Sequence, residues 1–432
     1  MMTATPRPRA DIFRLALLIL LLGQMSVYYD TAVKTIPHIE FYLLINLGLI
    51  VLTLLPWRRM PDLLWVLVWP VGALLHWDWA VRPTNSDVFW ATSQAVDFLL
   101  HGQNPYTQVY TWVYEHQPGI SNYPSYSYFP GGLFAEIPFY LLGNVRYGLA
   151  LADLGIALLL YLLARPRLGV APARALAAFW LLFLPGFQVA MLFGALDFLL
   201  LFWIALAVWL YSRGWPVASG LATAMAFSTK QYGFLFAIPW GMLLARPLLL
   251  AAAARWREGV RGVGTLTTVP RRLWGPPLAA TALAVLVIVP IALLSPKAFT
   301  DATVGHHSSY MPDPMLGTPQ WNQSITAQLV GVGWLRLDDA ARLAALLFPL
   351  LLLGVMVAAL LRTRDVAGAL GWAALAVGLA FAFNSLQVQF FYWRLALLLG
   401  ILYFIVAFGA DHASRPAPAG PRELGASASG TG

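Results

Sequence analysis

The chain has 432 residues, of which 59% are hydrophobic and only 11% charged, and its mean hydropathy is +0.69. A soluble domain carries about 25% charged residues, so this chain has too little charge to cover a water-facing surface of its size. Its net charge of +8 would suit nucleic acid in a polar chain; in so apolar a chain no nucleic-acid partner is expected. The absence of cysteine excludes disulfides, thiolate metal sites, cysteine nucleophiles and cysteine-ligated clusters.

The class that remains is an all-α polytopic membrane protein. Crossing the hydrocarbon takes about 20 mostly apolar residues as a helix, and a helix satisfies its own backbone there. The apolar runs lack the alternation of barrel strands. In chain order the sequence predicts about twelve spans, near 12–29, 40–56, 62–80, 147–164, 172–190, 193–212, 216–229, 231–250, 277–295, 342–361, 366–384 and 391–409. The first has Arg7, Arg9 and Arg14 ahead of its apolar core, as a signal peptide does. No A-x-A site follows in LLGQMSVYYD, so it reads as retained. A single integral membrane domain over 1–410 is expected. The tail 411–432, rich in Ala, Gly, Ser and Pro, is expected to be disordered and cytoplasmic.

Arginine placement sets the orientation. With the N-terminus inside, 19 of the 27 basic residues fall on the inner side and 8 on the outer. The inner side then carries +13 and the outer −5, so the basic total reads as topology, facing anionic lipid headgroups. The run 130–143 is apolar but short and holds Glu136 and Pro138. If it spanned, the arginines of the basic loop 251–276 would lie outside, so it reads as a re-entrant or interfacial helix. Two long outer segments result, 81–146 and 296–341.

The first outer segment opens with an amphipathic helix. Val88, Phe89, Ala91, Ala95, Phe98 and Leu99 form its apolar face, with Gln94 and His101 among its polar positions. Asn85 or Ser86 is placed to cap it, and Gly102 and Asn104-Pro105 to end it. Asp87 falls in the first turn, where a helix N-terminus favours a carboxylate. That position suits a catalytic base and equally a simple complement to the helix dipole. Asp78 and Asp97 read as structural carboxylates. Asp197 lies just inside an apolar run, where a charge marks a polar cavity or a partner, or else reaches for the interface. Lys230 lies at an outer turn, where an ammonium suits a phosphate as a point charge or is an ordinary loop lysine.

In the second outer segment, His306 and His307 are adjacent and point apart, so no metal site is read there. Asn322-Gln323-Ser324 has the form of a glycosylation sequon. Arg394 follows the polar stretch 384–389 at the last outer turn. Tyr106, Tyr126 and Tyr128 belong to a crowd of outer aromatics, a pattern shared by sugar-binding faces and by membrane interfaces.

Four stretches in order carry a family resemblance. They are Asp87 with Gly102-Gln103-Asn104-Pro105-Tyr106 and Tyr126 to Pro130; Gly194-Ala195-Leu196-Asp197; Ser228-Thr229-Lys230; and Asn322-Gln323-Ser324. Together they resemble the GT-C superfamily of membrane glycosyltransferases, most of all the polyprenyl-phosphate-mannose-dependent enzymes of glycosyltransferase family 87. Ala195 stands where that family often has Gln, and Phe129 where it often has a second Pro.

The resemblance implies a multi-pass protein of a bacterial plasma membrane with both termini cytoplasmic. It implies an inverting transferase that moves a sugar, mannose first, from a lipid-linked donor to a glycan or glycolipid acceptor. It makes Asp87 the general base. Lys230, His306, His307 and Arg394 become donor-phosphate ligands, and Asp197, Tyr106, Tyr126, Tyr128, Asn322 and Gln323 line the substrate. No cofactor or metal is called for. Two readings compete: a transporter or flippase for a lipid-linked glycan, with Asp153 as its mid-depth charge, and a lipid-binding scaffold.

Overall fold

A computed structural model describes residues 62–84, 86–116, 126–182, 191, 194–260, 268–305, 329–330, 332–383 and 389–413. The expected spans 12–29 and 40–56 lie outside the described residues, as does the chain from 414 onward. Every described element is helical, as the composition requires. The elements are α1 (Asp62–Val81), α2 (Asp87–Leu100), α3 (Thr111–His116), α4 (Pro130–Leu141), α5 (Arg146–Leu168), α6 (Val170–Leu182), α7 (Asp197–Ser212), α8 (Pro216–Thr229), α9 (Phe234–Arg257), α10 (Gly275–Leu294), α11 (Pro296–Thr300), α12 (Leu337–Arg362), α13 (Val366–Phe383) and α14 (Gln389–Ala413).

Among the described residues, three helices are long and apolar enough to cross a membrane: Arg146–Leu168, Gln231–Arg257 and Gly275–Leu294. Shorter apolar helical stretches run over Val170–Leu182, Asp197–Ser212, Leu346–Arg362, Val366–Ala380 and Arg394–Ala407. Helices of this length and composition argue for a membrane protein. The surface agrees: Leu286, Leu293 and Leu294 of α10 and Leu353 and Leu361 of α12 are exposed, as lipid-facing leucines are.

Several boundaries differ from expectation. Helix α9 continues to Arg257, into the expected basic loop, because AAAARW is rich in the best helix former. Helix α12 starts at Leu337 rather than 342, since Asp338 and Asp339 suit a helix N-terminus. Helix α14 runs to Ala413, entering the expected tail, because its first breaker is Pro416. The run 130–143 forms α4, whose 12 residues measure about 18 Å at 1.5 Å per residue. That is well short of the roughly 30 Å hydrocarbon core.

The core is built on α5 and α7. Leu149, Ile156, Leu160 and Leu163 of α5 pack with Phe198, Leu200, Leu201 and Ile204 of α7, all of them buried. Helices α6 and α14 flank this pair, and α8 packs between α7 and α10. One polar network crosses the core. His76 of α1 donates Nδ1–H to the Gly72 carbonyl at 2.6 Å, and its Nε2 meets Asp153 Oδ2 of α5 at 2.5 Å. Asp153 Oδ1 accepts from Trp180 Nε1 of α6 at 2.7 Å. A carbonyl only accepts, so Nδ1 carries hydrogen. Both carboxylate oxygens are engaged, which is what a buried charge needs.

Helices alternate in direction, and this sorts the charges. The C-terminal ends of α1, α8 and α10 meet the N-terminal ends of α2, α5, α7, α9 and α14 at one end of the bundle. The opposite end collects Arg165 and Arg167 of α5, Arg213 after α7, Arg255 and Arg257 of α9, Arg271 and Arg272 before α10, and Arg362 and Arg364 after α12.

Candidate functional site

Asp87 begins α2 as expected, but the cap differs. Ser86 occupies the N-cap position without a side-chain cap bond. Instead Asp87 Oδ1 accepts from the Val88 N–H at 2.8 Å, and Thr84 Oγ1 accepts from the Ser86 N–H at 3.1 Å. Asp87 is half-buried. Asn85 lies outside the described residues. Gly102 and the Asn104–Pro105 turn end the element as read: Asn104 Oδ1 accepts from the Tyr106 N–H at 3.1 Å.

Gln94 departs from expectation. It is buried, because its amide serves α3: Oε1 accepts from the Trp112 N–H and Nε2 donates to Thr111 Oγ1, each at 3.0 Å. Asp97 accepts from Tyr140 Oη at 2.9 Å and so joins α2 to α4, a structural role as read. Burial and that carboxylate push the Tyr140 phenol up to about 12. Asp78 pairs with Arg82 one turn on.

Asp197 begins α7, and Lys230 follows the last residue of α8. Their side chains meet at 2.8 Å with 1% and 2% exposure respectively. The sequence assigned these two residues to separate tasks; the fold makes them one ion pair. Arg394 of α14 is buried with them, acts electrostatically on both, and lies 5.5 Å from the Phe198 ring. Lys230 Nζ also sits 4.8 Å from the Tyr128 ring and 5.0 Å from the Tyr232 ring, within cation–π range. Among the described residues, two cations and one carboxylate are buried together here.

The three tyrosines of the first segment gather above this cluster. Tyr106 Oη donates to the Tyr128 carbonyl at 2.5 Å. The Tyr126 ring lies 6.0 Å from Tyr106 and 5.6 Å from Tyr128. Burial pushes the Tyr106 and Tyr126 phenols well above their ordinary value, so both stay neutral.

Close packing holds the layer together. A Cβ on Gly131 would lie 2.7 Å from the Ser228 carbonyl oxygen, so the start of α4 fits against the end of α8 only as glycine. Gln231, next to Lys230, donates its amide to the carbonyls of Ser127 and Thr303. It thereby joins the tyrosine segment to a π-helical turn at Asp301–Gly305.

Asp87 is linked to the cluster through Phe89. Gly194 has φ +66°, and a Cβ there would stand 3.1 Å from Phe89 Cα. The first turn of α2 therefore lies against the turn that leads into Asp197. Among the expected site residues, Asp197, Lys230, Arg394, Tyr128, Tyr126 and Tyr106 come together, with Asp87 on the neighbouring helix start. His306, His307, Asn322 and Gln323 lie outside the described residues. Among the described residues no group of three or more carboxylate or imidazole side chains is arranged to hold a metal.

Three side chains escaped the sequence reading. Glu136 of α4 is fully buried without a hydrogen-bond partner, and burial pushes its carboxyl well above the usual range. Gln231 is a tether between loops. Arg146 is buried at the start of α5 rather than lying at an outer surface. Only Glu136, an acid in an apolar run, carried a local signal.

The described residues are all-helical, with three candidate membrane spans and a buried cluster of Lys230, Arg394 and Asp197 at one end. No protein-family model, curated protein or solved structure matches the chain.

Proposed function

We propose that the protein is an inverting GT-C-type glycosyltransferase of about twelve spans. It transfers a sugar, mannose first, from a polyprenyl-phosphate donor to an acceptor hydroxyl. The observation that carries the reading is the buried cluster of Lys230, Arg394 and Asp197, one helix start away from Asp87. A sugar on a polyprenyl phosphate is a phosphodiester with one negative charge, and the cluster complements it. The arginine-rich end of the bundle is then cytoplasmic. The site end faces outward, and α4 lies in the outer interface.

In the reaction, Asp87 accepts the acceptor hydroxyl proton as the oxygen bonds to the anomeric carbon from the face opposite the phosphate. The anomeric carbon–oxygen bond breaks, and its electron pair leaves on the lipid phosphate. That group goes from one negative charge toward two, and preorganised cations stabilise what develops. Lys230 and Arg394 supply them, with Asp197 holding Lys230 in register. Tyr106 and Tyr128 are proposed to meet the sugar ring, with His306, His307, Asn322 and Gln323 completing the site from the second outer segment.

Transport is the weaker reading, because Asp153 is fully engaged by His76 and Trp180 instead of lining a path. The test is incubation of membranes holding the full chain with labelled polyprenyl-phosphate sugars. Label transferred to an acceptor supports the proposal. Lipid-linked label that crosses a proteoliposome bilayer intact overturns it in favour of transport.

A further inference from the structure

Arg146 poses a physical puzzle. It begins α5, where the helix dipole disfavours a cation, and it is 3% exposed. Its partners resolve the puzzle. Nη2 donates to the Arg82 carbonyl at 2.8 Å, Nη1 to the Trp79 carbonyl at 3.4 Å and Nε to Asn144 Oδ1 at 3.3 Å. Asn144 Nδ2 donates to the Ala80 carbonyl at 2.8 Å. The guanidinium thus sits on the carbonyl-rich C-terminal end of α1, where a cation is favoured.

Its flat face is occupied as well. The guanidinium carbon lies 4.5 Å from the centre of the Phe89 ring. The Phe89 backbone is stopped on the Gly194 side, where a Cβ would stand 3.1 Å from it. The first turn of α2 is therefore held between Arg146, fixed to α1, and Gly194, fixed to α7. Asp87 lies two residues before Phe89, within that turn.

We infer that Arg146 is a positioning residue for Asp87: through Phe89 it sets the distance between the Asp87 carboxylate and the Asp197–Lys230–Arg394 cluster. The inference rests on the proposed transfer reaction. A lysine cannot reproduce it, because an ammonium has neither the planar face for Phe89 nor the fork that reaches three acceptors. A displacement of about 1 Å in a reacting group costs on the order of 100-fold in rate.

The experiment compares the full-length wild type with Arg146→Lys, Arg146→Ala and Asp87→Asn, using labelled polyprenyl-phosphate mannose as the probe. Transfer is normalised to folded protein, and hydrogen exchange of residues 86–92 is followed in parallel. Both Arg146 variants are expected to lower kcat about 10- to 100-fold with the donor KM within about twofold. They should also speed exchange of residues 86–92 while α7 stays protected. Unchanged kcat per folded molecule, with only thermal stability lowered, overturns the inference, and so does unchanged exchange over 86–92. If the wild type transfers nothing, the transfer reading fails; faster exchange over 86–92 alone would then still support the clamp, and unchanged exchange would sink both.

Discussion

Removing Asp197 should destabilise the protein more than removing Lys230, and the charge count of the pocket says why. Asp197→Leu leaves Lys230 and Arg394 buried together without their shared carboxylate. Breaking a buried pair and stranding its charge costs about 3–5 kcal/mol, and here Arg394 acts against the stranded ammonium as well. Lys230→Met leaves Asp197 beside Arg394, still compensated. It removes the 2.8 Å hydrogen bond, worth about 1.5–3 kcal/mol when a charged group is involved. The double variant removes both members of the ion pair and should cost less than the sum of the single variants, with a coupling of about 0.5–3 kcal/mol. Unfolding in mixed micelles, followed by the fluorescence of the 18 tryptophans, measures all three. If Lys230→Met proves as costly as Asp197→Leu, or if the two effects simply add, the account of the ion pair is wrong.

Glu136 makes a prediction about pH. Its carboxyl is held neutral by burial, well above the ordinary value near 4.5, so the folded state keeps a proton that the unfolded chain releases. Stability should therefore fall as pH rises above about 4.5 toward the folded value. Glu136→Gln should flatten that slope and raise the unfolding midpoint at pH 7; an unchanged slope refutes the assignment. Gly131→Ala should push α4 off the end of α8 and cost about 1–3 kcal/mol, read as a lowered midpoint; a neutral outcome would mean the two helices are not in contact there. Asp153→Asn can still accept from Trp180 and donate to His76, so it should be far milder than Asp153→Leu, which loses both partners. Thermal scans of the two variants decide this, and equal losses would contradict the network.

Much of the fold was legible because membrane helices declare themselves by run length. The helices over 62–81, 216–229 and 366–383 fall almost where the apolar runs place them. Their ends drift where propensity continues past the run, as in the Ala-rich 251–257, or where acids extend a start, as at Asp338. The polar contacts inside the bundle were less legible. Asp197 and Lys230 were each visible as an unusual charge, yet their pairing at a separation of 33 residues depends on how α7 and α8 cross. Gln94 occupies a polar helix position and is buried because a second, six-residue helix needs its amide. Arg146 read as one of a few outer cations, and nothing local distinguishes a solvated arginine from one that caps a helix 64 residues earlier.

The central claim is that Asp87 takes a proton while a lipid-linked sugar changes hands. Its most direct test is the transfer rate of purified wild type and Asp87→Asn in proteoliposomes, at saturating labelled polyprenyl-phosphate mannose with an acceptor extract. Loss of a general base should lower the rate about 10²- to 10⁴-fold while the unfolding midpoint stays in place. Asp87→Asn turning over at the wild-type rate would contradict the account.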